Sequence, residues 1–453
     1  MNRQELLNKL IIQPKSLTVR DGFYQKNRVA DICTNVEGVQ MSYLLELAEY
    51  QKKVQIRPFE GLEKECVLCI GPKIPKKKKY CFENDEAFWL EAEQDSIAII
   101  GKTPEGMLLG LKSLIRMLSE TEELPLMELY DYPDIPFRAV HTCMFRPDDG
   151  TEKEESSPED IKKMMKTAAI CGYNHIFIEF WGMFPYSREY AHWPNAYTRA
   201  EIEDLISFAM NQLHIRPLPA QNLTSHAGWS RIVSRKHTVL DQRPDLSDMY
   251  IPGGWCFATE NPDTQVFLKE LMDELLAMFR NPPYLHACCD KAFGFGSTEE
   301  DRTMSADILF AKHISFLNSY LQEKNTTMAM WGDMLYSSMD ALYWKCSEKT
   351  ADYIPKNILM NIWTHNNPGR KWQDAAFFEN KGFQTVYSPF MNEESIESMV
   401  NVCRERKSHG IVQTTWHLPQ TAVPYVILSG TLQWCGIKPQ NDKINQFQNI
   451  WYR

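Results

Sequence analysis

The sequence has no run of about 18 apolar residues, the length a helix needs to cross a bilayer, so no transmembrane helix is expected. Its opening, "MNRQELLNKLIIQPK", lacks the apolar stretch and small-residue cleavage site of a secretory leader. There are twelve cysteines, but no repeated framework connects them. Cys66 and Cys69 form a single C-x-x-C inside an apolar run and read as strand residues, and the adjacent Cys288 and Cys289 read as core. No spaced Cys/His cluster is present, so neither a metal nor another cofactor is expected. Free thiols without a leader point to a reducing, cytoplasmic location. Basic charge is in deficit: 49 Lys and Arg face 59 Asp and Glu, a net charge of -10, which argues against nucleic acid or an anionic membrane as main partner. The basic run Lys76 to Lys79 reads as a solvated loop.

What the chain does contain is the makings of a large folded protein. At 453 residues with 43% hydrophobic side chains it exceeds one small core, so two or three domains are expected. Aromatic residues make up 12%, enough for a large core or for flat sugar-stacking surfaces. The sequence gives no oligomeric state.

Residues 1–133 read as an N-terminal α/β domain. The segment "FWLEAEQDSIAIIGKTPEGMLLGLKSLIRML" predicts two short strands, a Thr-Pro turn and a helix whose apolar face carries Leu108, Leu111, Leu114, Ile115 and Leu118. A proline-containing connector, "EELPLMELYDYPDIP", leads out of it. Residues 134–453 then follow another rhythm. Eight short apolar runs appear: "AVHTCMF", "HIFIEF", "IRPLPA", "YLHACC", "TMAMW", "NILMNIW", "FQTVYS" and "GIVQTTW". Most are separated by amphipathic helices, as over "SPEDIKKMMKTAAICG", with Ser157 as N-cap, Pro158 at the first helical position and Gly172 as stop signal. Buried strands alternating with helices imply a covered parallel sheet, and eight units in this length predict a (β/α)8 barrel. A doubly wound open sheet is less favoured, because no Gly-rich phosphate loop follows the early strands.

In such a barrel, functional side chains gather at the C-terminal ends of the strands. Those ends carry Arg146, Glu179 to Trp181, Gln221 to His226, Asp290, Lys291, Trp331 to Asp333, Trp363, His365, Tyr387, Trp416 and His417. A single tryptophan there serves equally well to cap a barrel core. Four of them with a cluster of carboxylates favour a ligand pocket, with indoles as platforms for sugar rings and Arg, Asp and His as partners for hydroxyls.

These segments resemble glycoside hydrolase family 20, the β-N-acetylhexosaminidases, and most of all its hexosaminidase D branch. The family pattern is an apolar strand running into His-x-Gly-x-Asp-Glu. Here it reads "HACCDK": His286 and Asp290 match, Cys288 stands for the glycine and Lys291 for the glutamate. "FRAVHTCMFR" is similar to the first barrel strand, with Arg138 and Arg146 at the family's spacing. "IFIEFWGMFPYS" matches at Glu179, Met183, Phe184, Pro185 and Tyr186, with Trp181 and Gly182 in place of an acidic pair. "QNLTSH" resembles Gln-Thr-x-Gly-His through Gln221 and His226, and "MWGDML" resembles Trp-Asp-Asp-Met-Leu with Gly332 for the first aspartate. "GIVQTTW" resembles the last strand, with Trp416 as sugar platform. The likeness covers nearly the whole chain, residues 1 to 130 resembling the small α/β domain that often precedes these barrels.

The resemblance implies a substrate-assisted mechanism, in which the sugar's own acetamido oxygen attacks the anomeric carbon and no protein nucleophile is used. Asp290 would hold the acetamido N–H and stabilise the oxazolinium. The glutamate position would supply the proton for the leaving group, and Lys291 suits that task badly, since an ammonium has a reference pKa of about 10.4 and a neighbouring aspartate raises it. The family roles place Asp290, Lys291 and Glu179 in the catalytic set and Arg146, His226, Trp331, Asp333, Trp363, Tyr387 and Trp416 around the substrate. With Gly182 and Gly332, Lys291 makes three altered sites, which suggests a remodelled pocket. Two readings follow: a glycosidase acting on β-linked N-acetylhexosaminides or related glycosides, including anionic ones held by Lys291, or an inactive sugar-binding barrel of the same descent. In the first, another carboxyl such as Glu179 or Asp333 is a candidate for the missing acid.

Overall fold

The computed structural model describes residues 1–27, 30–73, 75, 79–146, 156–227, 237–335, 346–363 and 371–453, with backbone alone at 371–374. Lys76 to Lys78 of the expected loop Lys76 to Lys79, and the strand-end His365, lie outside the described residues. No helix among the described residues is long and apolar enough to cross a membrane. All twelve cysteines lie among the described residues, and no disulfide joins them.

The first part of the chain forms a seven-stranded mixed sheet from β1 (Ser16–Phe23), β2 (Ile32–Thr34), β3 (Gln55–Ile56), β4 (Cys66–Ile70), β5 (Phe88–Ala92), β6 (Ile97–Gly101) and β7 (Pro125–Asp131), in the order β1-β7-β5-β6-β4-β2-β3. The helix Pro104–Glu120 packs on it. Thr103 caps that helix by accepting from the Gly106 N–H at 3.2 Å, and Pro104 occupies its first turn as expected of a residue with no N–H to satisfy. Gly110 lets helix and sheet approach: a Cβ there would lie 2.4 Å from Ile99 Cγ2.

The second part closes the expected barrel from eight parallel strands: β8 (Phe137–Cys143), β9 (His175–Glu179), β10 (Arg216–Ala220), β11 (Tyr284–His286), β12 (Thr327–Trp331), β13 (Leu359–Trp363), β14 (Gln384–Ser388) and β15 (Gly410–Thr414). Closure comes from β15 pairing with β8, from Gly410 opposite Phe137 to Thr414 opposite His141. Ser157 forms a full capping box with Asp160 at the start of the helix Pro158–Ile170, and Gly172 follows its end with φ +89°. The helix Arg199–Ser207, between β9 and β10, loosens into a π-helical turn over Phe208–Gln212. "YLHACC" is a strand only to His286, because Cys288 and Cys289 turn left-handed at φ +58° and +65°.

Alternation along the strands sorts the barrel into layers. Phe137, Ala139, Phe177, Leu218, Ala329, Leu359, Val386 and Val412 fill the interior. Below them Phe137 stacks with His175 and His409, centroids 4.5 and 5.1 Å apart, at the strands' N-terminal ends. Toward the C-terminal ends the buried residues at inward positions turn polar: His141, Glu179, His286, Asn361 and Ser388.

Arg138, on the outer face of β8, joins the two parts. Its guanidinium forms a two-point pair with Glu86 of the first domain at 2.7 and 2.8 Å and donates to the carbonyls of Ile135 and Gly172 at 2.6 and 2.7 Å. The side chain is almost wholly buried. Replacing Arg138 with alanine strands a carboxylate and several carbonyls, so it is expected to lower stability by about 3–5 kcal/mol, the usual loss when one member of a buried pair is removed. Equilibrium urea denaturation measures this, and a midpoint equal to wild type would contradict the pairing's role.

Candidate active site

The chain path at the end of β11 decides what reaches the pocket. On a regular strand Asp290 and Lys291 would face opposite sides. Here Cys288, Cys289 and Lys291 all adopt left-handed backbone, Lys291 at φ +45°. Two hydrogen bonds hold this path: Ser225 Oγ donates to the Asp290 carbonyl, and the Trp255 indole N–H donates to the Lys291 carbonyl at 2.6 Å. The kink turns both side chains into one cavity. It also explains the glycine of the family pattern at position 288, since φ +58° suits glycine best. Trp181, His226 and Trp416 are left-handed too, at φ +46°, +49° and +48°. Non-glycine residues in this region cost about 1–3 kcal/mol each, and such strain concentrates at functional sites.

The cavity encloses about 290 Å³ and is lined by Glu179, Trp181, Asn222, His226, Asp290, Lys291, Trp331, Phe390, Trp416 and His417. A larger groove of about 840 Å³, with Asp248, Glu260, Glu299 and Glu300 on its walls, holds none of these groups. The indoles form the cavity's apolar walls. Trp331 lies against His286 and Trp416, with centroids 4.4 and 5.1 Å apart.

Charge in the cavity centres on Asp290. Its Oδ2 receives the Lys291 ammonium at 3.0 Å and lies 3.6 Å from His226 Nε2. Burial favours the neutral acid, but Lys291 and then His226 outweigh it and hold the carboxyl well below the usual carboxylate range. Lys291 also meets two aromatic faces, its Nζ 4.8 Å from the centroid of Trp363 and 5.7 Å from that of Trp416. Burial would lower its pKa, yet the nearby carboxyls, Asp290 foremost, raise it above the ordinary lysine value. Asp333 is different again. Burial and then the Asp290 charge push it up to about 7, against the opposing pull of Lys291 and the Trp363 indole.

Glu179, at the end of β9, is held as an acceptor. Its Oε2 pairs with His141 Nε2 at 2.9 Å and receives the Cys143 thiol at 3.9 Å, while Oε1 accepts from Asn222 Nδ2 at 2.7 Å. Among the described residues His141, Cys143 and Glu179 could bring three ligand atoms within 4.8 Å, but this hydrogen-bond network already accounts for their arrangement.

Several residues singled out from the sequence are placed elsewhere. Arg146 pairs with Glu201 at 2.8 Å and lies over the Tyr197 ring at 4.0 Å, and it is not among the cavity-lining residues. Tyr387 faces out of the barrel: Val386 takes the inward position, and the Tyr387 hydroxyl lies 3.5 Å from Ser408 Oγ. Gln221 accepts from the Tyr186 hydroxyl at 2.8 Å and is not in the lining. Gly332 is not a lost pocket acid, because a Cβ there would lie 2.8 Å from the Phe378 ring, outside the barrel. Trp363 borders the site through Lys291. Phe390 lines the cavity and was not foreseen, and Asn222, inside the expected run Gln221 to His226 but given no role there, lines it too. Each lies two residues beyond the end of its strand, where alternation no longer indicates direction.

The Lys291→Met variant tests the charge assignment. With the largest opposing cation gone, burial acts on Asp290 less checked, and its titration midpoint should rise. Carboxyl carbon-13 NMR of labelled aspartate reads this directly, and an unmoved midpoint would show that Lys291 does not set the charge.

The segment 181–393 matches the family profile described as Glycosyl hydrolase family 20, catalytic domain, which takes in β10 to β14 and with them Asp290, Lys291, Trp331 and Asp333. No match was found among curated protein sequences. Solved structures share the fold. The chitobiase of Flavobacterium johnsoniae aligns with a TM-score of 0.70 at 15% identity, covering 100% of this chain and 73% of that one. The β-N-acetylhexosaminidase of Bacteroides fragilis aligns at 0.67 and 15%, covering 95% and 92%. That of Streptomyces coelicolor A3(2) aligns at 0.65 and 13%, covering 98% and 96%. The protein is thus similar to glycoside hydrolase family 20 in sequence over 181–393 and to its β-hexosaminidases in fold over nearly its whole length.

Proposed function

We propose that the protein hydrolyses β-linked N-acetylhexosaminides by substrate assistance, with Asp290 as the carboxylate that orients the acetamido group and Lys291 as the cation that fixes its charge. The observation that carries this reading is an ionised, buried carboxylate at the wall of an indole-lined cavity. A carboxylate can accept the acetamido N–H and stabilise positive charge as the acetamido oxygen closes on the anomeric carbon. The indoles of Trp331 and Trp416 offer apolar faces to the sugar ring. The closer likeness to the hexosaminidase D branch rests on Glu179 and the run Met183 to Tyr186.

Lys291 is altered relative to the family pattern and does not act as the acid. It holds its proton too tightly, and it cannot serve as base for water near pH 7. Its ammonium already faces Asp290 and two indoles, with Glu179 and Asp333 nearby, which favours neutral sugars over sulfated or acidic ones. One observation favours the second reading, a sugar-binding barrel without turnover: the Lys291–Asp290 pair neutralises the carboxylate that catalysis requires.

A panel of aryl N-acetyl-β-glucosaminides and galactosaminides separates the two, because an activated aryl group departs without protonation. Turnover by wild type and its loss in Asp290→Asn are expected, since an amide cannot stabilise the oxazolinium. An Asp290→Asn protein as active as wild type would remove this mechanism. Trp416→Ala should weaken binding of N-acetylglucosamine by about 1–3 kcal/mol in calorimetry, as for loss of an aromatic platform. Arg146→Ala should leave it unchanged, because that guanidinium is engaged by Glu201.

A further inference from the structure

We propose that Asn222 selects the sugar by accepting a hydrogen bond from one of its hydroxyls through Oδ1, with Glu179 as the positioning residue that turns the amide to do so. The inference rests on the hydrolase reading and names a specificity-determining group for its substrate. Asn222 is 5% exposed and lines the cavity. Its Nδ2 donates to Glu179 Oε1 at 2.7 Å. A carboxylate can only accept, so this bond settles which end of the amide faces Glu179 and leaves Oδ1 as the other end. Among the described residues nothing donates to Oδ1, and that oxygen is not sealed from solvent. The little surface that Asn222 keeps belongs to the cavity wall.

The amide is held from two sides. Glu179 Oε2 pairs with His141 Nε2 at 2.9 Å, so the carboxylate cannot swing away from Asn222 without losing both partners. On the backbone, the Gln221 and Leu223 N–H groups flank Asn222 and donate to the carbonyls of His286 and Ala287 at 2.9 and 3.2 Å. Three residues further on, Ser225 Oγ donates to the Asp290 carbonyl. The run that carries Asn222 is thus stitched to the run that carries Asp290. The acceptor meets a ligand without reordering, the condition under which a single hydrogen bond discriminates well.

The chemistry decides which group it takes. Asn222 Oδ1 is a neutral acceptor, and the carboxylates of the cavity are already engaged, Asp290 by Lys291 and His226, Glu179 by His141 and Asn222 itself. In the hydrolase reading the acetamido N–H goes to the charged Asp290, the stronger acceptor. The donors that remain on the sugar are its hydroxyls. A bound sugar takes Oδ1 out of water, and a hydroxyl placed there restores the lost hydrogen bond. A sulfate ester, a methyl ether or a deoxy carbon at that position brings no proton and leaves the oxygen unpaired. Such a site rejects an analogue lacking the hydroxyl far more strongly than an apolar wall rejects a change of size.

The test measures, by calorimetry, binding of N-acetylglucosamine and its 3-deoxy, 4-deoxy and 6-deoxy analogues to the full-length wild type, Asn222→Ala and Glu179→Gln. Wild type is expected to bind one analogue about 5- to 50-fold more weakly than the parent sugar, and Asn222→Ala to bind that analogue and the parent alike. Glu179→Gln should narrow the same gap, because a neutral amide no longer dictates which end of Asn222 faces it. A merely structural loss would instead weaken all four sugars together, and a gap unchanged in Glu179→Gln would remove its positioning role. A wild type that binds all four alike, or an Asn222→Ala protein that keeps every wild-type ratio, would overturn the proposal and leave the hydrolase reading intact, since the sugar still binds. A wild type that binds none of them would remove that reading and this inference together. If Asn222→Ala fails to fold, by circular dichroism, a structure of the wild type with N-acetylglucosamine bound decides. A sugar hydroxyl within hydrogen-bonding distance of Oδ1 supports the proposal, and none there overturns it.

Discussion

The contact between the Lys291 ammonium and the Asp290 carboxylate orders the electrostatics of the whole pocket. Without that cation, a carboxyl so deeply buried would favour its neutral form, as Asp333 does a short distance away. One pair of adjacent residues thus separates two buried aspartates, of which only Asp290 lines the cavity, into an ionised group and one pushed up to about 7. Separating two carboxyls by environment is a general route to acid–base chemistry near neutral pH. Here the separation depends on backbone geometry, because only the left-handed path through 288–291 brings both side chains of the pair into the same space.

Around this pair the barrel supplies rigidity. The apolar interior of Phe137, Ala139, Phe177 and their neighbours fixes the strand ends, and the polar layer above it, with Glu179 tied to His141 and Asn222, fixes the pocket floor. The first domain contributes from the outside. Glu86 engages Arg138 on β8, and Trp434 donates to Asp131 at the end of β7 at 2.9 Å. The pocket residues are therefore carried on elements secured from both faces.

Much of the fold was legible in the sequence, because its signals are local and repeated. Eight short apolar runs between helices lead to a closed parallel barrel, and the cap Ser157 acts where expected. The site was legible in part. Asp290, Lys291, His226, Trp331, Trp416 and Glu179 all line the cavity. Arg146 and Tyr387 illustrate the limit. Arg146 has an acidic partner on the helix Arg199–Ser207, a tertiary contact that no spacing reveals. Tyr387 sits at a strand end with the right chemistry, but register places Val386 inward, and a shift of one residue reverses the face. Gly332 makes the same point: the outward face it occupies is crowded by Phe378, which the local sequence does not show.

Closure of the barrel by β15 on β8 has a consequence for biogenesis. The two strands lie some 270 residues apart along the chain, and Trp416 follows directly after β15. During synthesis the first domain and most of the barrel strands emerge before the partner that seals the cylinder, and contacts of such long sequence separation form late and slowly. The half-built sheet meanwhile presents open edges on β8 and β14 that invite pairing with other chains. The same docking event that removes those edges also brings Trp416 beside Trp331, so the protein gains its protection from aggregation and its ligand pocket in one step.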